Sequence, residues 1–267
     1  YVSTEREALV GQVQRPLVQV SEQLPTLMHC TASIDRIEEI EKLPLESSDE
    51  QHFLRGTAGV SVENLSFRYS DGVDDIFTNF SFDFVPGSKT SIVGPTGRGK
   101  STLIKLMLSL LSPTKGSVSI YSADEKVRAS ESTRCNLVYV PQGNTLFSGT
   151  IRENLQMGDP HATGSQMKEA LYTAAADFVM ELPSGLDTQC FEAGGGLSEG
   201  QAQRIAIARA LLRPGSILLL DEFSSALDNA TEDLLLQRLT AKLNTRTMIF
   251  ITHRGRVIDY CDSVLRL

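Results

Sequence analysis

The 267 residues include 41% hydrophobic and 22% charged side chains, which is enough for a full globular core and excludes a disordered, collagenous or rod-like coiled-coil protein. Lysine and arginine number 25 against 33 acidic residues, a formal charge of −8 that argues against a broad nucleic-acid footprint, so any anionic ligand must be caught locally. The four cysteines, Cys30, Cys135, Cys190 and Cys261, form no CxxC pair; they suit a reducing compartment, offer no zinc knuckle or disulfide framework, and are expected in the core.

In chain order, Leu9, Val10, Val13, Leu17, Val20, Leu24, Leu27 and Met28 recur at three- and four-residue steps, predicting an amphipathic helix interrupted by Pro16 and Pro25. The helical period continues over residues 33–40, and Pro44 with Ser47, Ser48, Asp49 and Glu50 reads as a linker, so a domain boundary is expected near residue 50. No run of 18 apolar residues and no secretory signal occurs, while the start at Tyr1 and the apolar finish at Val264, Leu265, Arg266 and Leu267 read as a piece of something longer. Val60, Val62, Leu65, Phe67 and Tyr69, then Phe80, Phe82 and Phe84, alternate as half-buried strands do, predicting a small β-subdomain. From residue 88 short apolar runs at 91–93, 138–140, 217–220 and 248–251 alternate with helical stretches, the mark of an α/β fold with a mainly parallel sheet. Residues 165–181 and 199–213 read as helical, within an all-helical insertion.

The strongest local signal is Gly94-Pro95-Thr96-Gly97-Arg98-Gly99-Lys100-Ser101, a GxxxxGK[ST] P-loop between a predicted strand and a predicted helix. Its glycines let backbone N–H groups turn toward a phosphate chain, the helix dipole faces the anion, Lys100 reaches the β- and γ-phosphates, and Ser101 offers a hydroxyl to Mg²⁺. Far downstream, four apolar residues end in Asp221 and Glu222 at the carboxyl end of a buried strand, where open α/β sheets keep their sites. Asp221 suits the Mg²⁺ shell, and Glu222 suits a general base for the attacking water. Between them Leu197-Ser198-Glu199-Gly200-Gln201 heads a helix, with Ser198 and Gln201 placed for a capping box.

That last stretch, followed by Arg204 and residues 205–211, resembles the signature sequence of ATP-binding cassette ATPases, usually LSGGQ, and the resemblance extends over almost everything after residue 58. It implies a P-loop NTPase fold with an N-terminal antiparallel β-subdomain and an α-helical signature subdomain at roughly residues 143–213, within an ATPase domain spanning 51–267. By the resemblance, Tyr69 stacks on adenine, and residues 94–102, including Gly94, Pro95, Thr96, Gly97, Arg98, Gly99, Lys100, Ser101 and Thr102, cradle the phosphates. Ser198, Gly200 and Gln201 belong to the nucleotide site of a second copy; Gln142 ligates Mg²⁺ with Ser101 and Asp221 and senses the γ-phosphate; Ser225, Ala226, Leu227 and Asp228 meet their counterparts; and His253 is the switch histidine. ATP and Mg²⁺ are the implied cofactors, a second nucleotide-binding domain is the implied partner, and nucleic acid is not expected.

Phe147-Ser148-Gly149-Thr150-Ile151-Arg152-Glu153-Asn154-Leu155 resembles the exporter branch, whose ATPase is fused to membrane helices. Glu192 matches that branch's coupling-loop acid, although Phe191 stands where glycine is usual, and residues 32–37 resemble the linker leaving its last membrane helix. Residues 1–50 are therefore expected to be the cytoplasmic end of that helix plus linker, placing the domain on the cytoplasmic face of the plasma (inner) membrane. Two departures lie in the nucleotide-site motifs themselves: Glu199 replaces the first signature glycine, and Arg98 fills a slot usually held by a small residue. Rival readings are a soluble cassette clamp, a low-turnover regulatory subunit suggested by Glu199, and an ordinary P-loop kinase, for which the signature would have no use.

Overall fold

The computed structural model describes residues 50–267 except 71, 73, 144 and 192–195, and before them residues 18, 21–23, 28, 30, 31, 33–42, 45 and 46. The helix interruptions expected at Pro16 and Pro25, and the coupling acid Glu192, lie outside the described residues. The chain divides into two compact units, Tyr1–Ser48 and Asp49–Leu267. In the first, residues 33–41 are helical, with Ile34, Ile37 and Ile40 all exposed. Among the described residues no helix is long and apolar enough to cross a membrane.

The second unit is built on two sheets. One is antiparallel, in the order β2 (Phe77–Phe84), β1 (Gly59–Phe67), β4 (Lys115–Tyr121), β5 (Lys126–Arg128). The other is wholly parallel, in the order β11 (Ser263–Arg266), β3 (Lys89–Val93), β10 (Thr247–Ile251), β9 (Ile217–Asp221), β6 (Leu137–Val140). Strands β9 and β10 are buried at every position, so apart from Asp221 at the end of β9 and Thr247 at the start of β10 they are continuous apolar runs rather than an alternating pattern.

Period-two geometry then deals their side chains onto two cores. Leu218, Leu220, Met248 and Phe250 face one core, completed by Met167 and Leu171 of α3 (Gly164–Thr173), Ile205 and Ile207 of α4 (Glu199–Leu211), and Leu235, Leu236 and Leu239 of α5 (Asn229–Lys242). Ile217, Leu219, Ile249 and Ile251 face the other, shared with Val60, Val62 and Leu65 of the antiparallel sheet and with Leu103, Ile104, Leu106 and Met107 of α1 (Lys100–Met107).

Three expectations need correction. The signature subdomain is not all helical: β7 (Gly149–Thr150) pairs with β8 (Gln189–Cys190), because the turn before α2 (Ile151–Gln156) runs extended and needs a ladder partner for its backbone. Helix α3 stops near Ala175, whose φ of 52° leaves the helical region, and residues 177–181 form a 3₁₀ turn instead of prolonging it. Of the cysteines only Cys190 is in the core; Cys135 and Cys261 are half-buried and Cys30 is exposed. The apolar finish of the sequence is β11, an edge strand paired with β3.

Candidate functional site: a phosphate loop facing a clamped carboxylate

Because β3, β6, β9 and β10 all run parallel, their carboxyl ends lie on one side, with Ile251 opposite both Ile92 and Asp221, and Val140 opposite Leu220. The residues that follow these ends are the P-loop, Gln142, Glu222 and His253. Parallel topology alone thus gathers side chains that lie far apart in sequence.

The loop turns through left-handed backbone at Gly97 (φ 85°) and Gly99 (φ 92°). A Cβ on Gly99 would sit 2.7 Å from Ile76 Cγ2, so only glycine fits where the loop meets β2's approach. Gly99 caps α1 without a side-chain hydrogen bond, leaving the first helical N–H groups without a capping side chain at the positive end of the dipole. Lys100 is buried, and its Nζ donates to Gly94 O at 2.5 Å and Pro95 O at 3.1 Å, with His253 Nε2 at 3.4 Å. Thr96, Gly97, Arg98 and Ser101 are exposed. Thr102 Oγ1 lies 3.2 Å from the hydroxyl of Tyr69, whose ring packs edge-on to Phe67 and stays 39% exposed.

Asp221 closes β9 and is buried. Burial pushes its carboxyl above the ordinary range and the neighbouring Glu222 charge adds to this, while the Tyr139 hydroxyl donating to Oδ2 at 3.1 Å and the charge of Lys100 oppose it. A carboxyl whose folded pKa is raised adds stability that is complete below its unfolded pKa and is lost as pH rises through the folded value. Asp221→Asn keeps the Tyr139 contact without the buried charge. It should raise the nucleotide-free melting temperature at neutral pH and flatten its dependence on pH, as thermal melts from acid to neutral pH would record.

Glu222 has φ 44°, a left-handed conformation that costs a non-glycine residue about 1–3 kcal/mol. Two hydrogen bonds hold it there: its N–H donates to Ile251 O at 2.9 Å, and its carbonyl accepts from Gln203 Nε2 at 3.2 Å. The turn aims the carboxylate across the strand ends, where Gln142 Nε2 donates to Oε2 at 2.6 Å and His253 Nε2 lies 3.2 Å from Oε1. Lys100, His253, Glu222 and Gln142 form one continuous polar chain.

Ser198 and Gln201 form the expected capping box at the head of α4. Gly200 is buried, and a Cβ there would lie 2.8 Å from Ala226 O, so the helix start packs on the 225–228 loop closer than any other residue allows. Among the described residues no hydrogen bond joins Ser198, Glu199 or Gly200 to the P-loop of the same chain. The signature is thus displayed away from its own P-loop, and Gln203 of the same helix hydrogen-bonds the carbonyl of Glu222.

Sequence reasoning gave no role to Tyr139, Gln203 or Arg254. Arg254, next to His253, donates to Leu227 O at 3.0 Å and Ser225 O at 3.1 Å, and pairs at 3.2 Å with Glu232, which is wholly buried. It therefore fixes the 225–228 loop, a contact that no periodicity could reveal. Arg254→Ala strands a buried carboxylate and should cost about 3 kcal/mol in denaturant unfolding. Arg254→Ala with Glu232→Gln should recover part of that.

Residues 77–225, more than half the chain, match the ABC transporter family. This chain belongs to that family. The ABC chain is 36% identical over 251 residues to the mycobactin import ATP-binding/permease protein IrtB of Mycolicibacterium thermoresistibile, covering 94% of this chain and 43% of that one. It is 39% identical over 269 residues to ABC transporter B family member 18 of Arabidopsis thaliana, covering 99% of this chain and 22% of that protein. Among solved structures, a bacterial Atm1-family ABC exporter with ATP bound superposes with a TM-score of 0.77 at 32% identity, over 97% of this chain and 46% of that one. The ABC chain thus spans less than half the length of these relatives. Its fold is that of a P-loop ABC ATPase domain, and nucleotide binding follows from the family.

Proposed function

We propose that this ABC chain hydrolyses ATP between two head-to-tail domains and thereby powers a fused-membrane-domain exporter. The observation that carries the reading is the Glu222 carboxylate held between Gln142 and His253 beside the P-loop lysine. Residues 94–102 cradle the triphosphate, Lys100 exchanging its carbonyl partners for β- and γ-phosphate oxygens, and the exposed Tyr69 ring takes the adenine. Glu222 accepts the proton of the attacking water; His253 and Gln142 hold the carboxylate in place and contact the γ-phosphate end. Ser198, Gly200 and Gln201 complete the site of the opposite copy, consistent with their separation from their own P-loop.

Mg²⁺ fits the donor set. The Ser101 hydroxyl, the Gln142 amide oxygen and the Asp221 carboxylate are hard oxygen ligands, and Gln142 uses Nε2, not that oxygen, toward Glu222. When bound, it supplies positive charge against the phosphates.

Residues 1–50 are read as the cytoplasmic end of the last membrane helix and its linker, and 51–267 as the ATPase domain. The helical residues 33–41, the division at Ser48 and the greater length of the relatives support this. The domain then works on the cytoplasmic face of the plasma membrane, with a second nucleotide-binding domain and a fused membrane domain as partners. The deciding experiment measures Mg-dependent ATP hydrolysis by the full-length protein beside its Glu199→Gly variant. Steady turnover by both supports the motor; tight ATP binding with turnover only in the glycine variant would instead favour the regulatory reading.

A further inference from the structure

Two charged side chains at the site's surface have no ion-pair partner among the described residues of their own chain. Arg98 lies at the exposed tip of the P-loop; its backbone N–H reaches Pro95 O at 3.4 Å, but among the described residues its guanidinium has no hydrogen bond or ion pair. Glu199 is the first residue of α4, also exposed, and among the described residues its carboxylate has no ion pair. At both positions the sequence departs from the family's small residues. Their charges are opposite.

An isolated carboxylate on the surface that must close over a triphosphate opposes binding, because like charges are forced together as water leaves. The helix dipole favours Glu199 where it stands, but its roughly half unit of positive charge is less than the carboxylate's full negative one, so the helix start still repels incoming phosphates. In a two-fold pairing, whatever one copy places opposite its partner is placed twice, with residue i on j and j on i. If P-loops face signature helices, Arg98 of each copy approaches Glu199 of the other. The guanidinium then cancels the charge that would otherwise repel ATP.

We propose that Arg98 and Glu199 form a reciprocal pair of ion pairs across the ATP-closed dimer, and that the partner is a second copy of this same chain. The inference rests on the head-to-tail reading above and adds the identity of the partner and the residues that select it. A partner with glycine at the signature position would leave Arg98 unpaired, and one with a small P-loop residue would leave Glu199 uncompensated. The two exchanges together make the chain specific for itself.

The test uses the full-length protein with Glu222→Gln, reading the ATP concentration that half-fills the nucleotide-retaining state. Arg98→Glu alone and Glu199→Arg alone each set like charges opposite one another twice, and each should raise that concentration by about tenfold or more. The double reversal restores opposite charges and should return it to within about threefold of the parent. A double variant as weak as the two singles combined overturns the pairing and leaves Arg98 as a phosphate contact only.

A second arm separates this failure from that of the dimer reading. Full-length protein with Cys30, Cys135, Cys190 and Cys261 replaced by serine and carrying Arg98→Cys with Glu199→Cys should cross-link between copies through a short bis-maleimide only with ATP, whereas either substitution alone should not. Cross-linking without charge-reversal rescue would keep the head-to-tail arrangement and sink the ion pair; no ATP-dependent cross-link would sink both.

Discussion

Glu222→Gln stops hydrolysis while leaving ATP bound: turnover falls by about 100- to 10,000-fold, the usual cost of losing a positioned general base. The substitution is nearly isosteric. The glutamine carbonyl still accepts from Gln142 Nε2, the left-handed turn is still held by Ile251 O and Gln203, and no cavity opens. Only the ability to take a proton disappears, so the variant should melt within a degree or two of the parent without nucleotide. With Mg-ATP it should keep unhydrolysed nucleotide through gel filtration and accumulate closed pairs. Ordinary turnover by the glutamine variant would remove Glu222 from the proton path and leave Gln142 and His253 clamping a merely structural carboxylate.

The parts of this molecule that could be read in the sequence are those written locally. The P-loop announces itself because tight backbone turning needs glycine at fixed offsets, as Gly97 and Gly99 show by their positive φ. The buried strands β9 and β10 stand out because a strand covered on both faces is apolar on both, as Ile217–Leu220 and Met248–Ile251 are. The capping box of Ser198 and Gln201 was equally visible, since its partners are three residues apart. Long-range placement was not. Strand β4 joins the antiparallel sheet by pairing with β1 and β5 by pairing with β4, and the sequence Lys115–Tyr121 carries no pattern that names its partner. The same is true of Arg254: it holds a loop by backbone carbonyls, and carbonyls have no residue identity. The left-handed turn at Glu222 likewise breaks local preference, the kind of violation that tertiary contacts impose at a working site.

Lys100→Ala separates binding from chemistry in the opposite direction. The ammonium is the one cation buried in the P-loop, and its present partners are the carbonyls of Gly94 and Pro95. An arriving triphosphate offers a full negative charge in place of two carbonyl dipoles, so the lysine gains far more from ATP than from its own loop. Alanine forfeits that gain, and turnover should drop by about 1,000-fold. The sharper readout is linkage: a ligand at 100 times its dissociation constant stabilises the native state by about 2.7 kcal/mol, and the ATP-induced rise in melting temperature should vanish in Lys100→Ala but persist in Glu222→Gln. Lys100→Arg should rescue it poorly, because the planar fork cannot occupy the compact space between Gly94 O, Pro95 O and His253 Nε2. Equal ATP-induced stabilisation in the alanine and glutamine variants would mean that the backbone N–H groups of the loop and the α1 dipole hold the phosphates by themselves, with Lys100 serving only to brace the loop through its carbonyls.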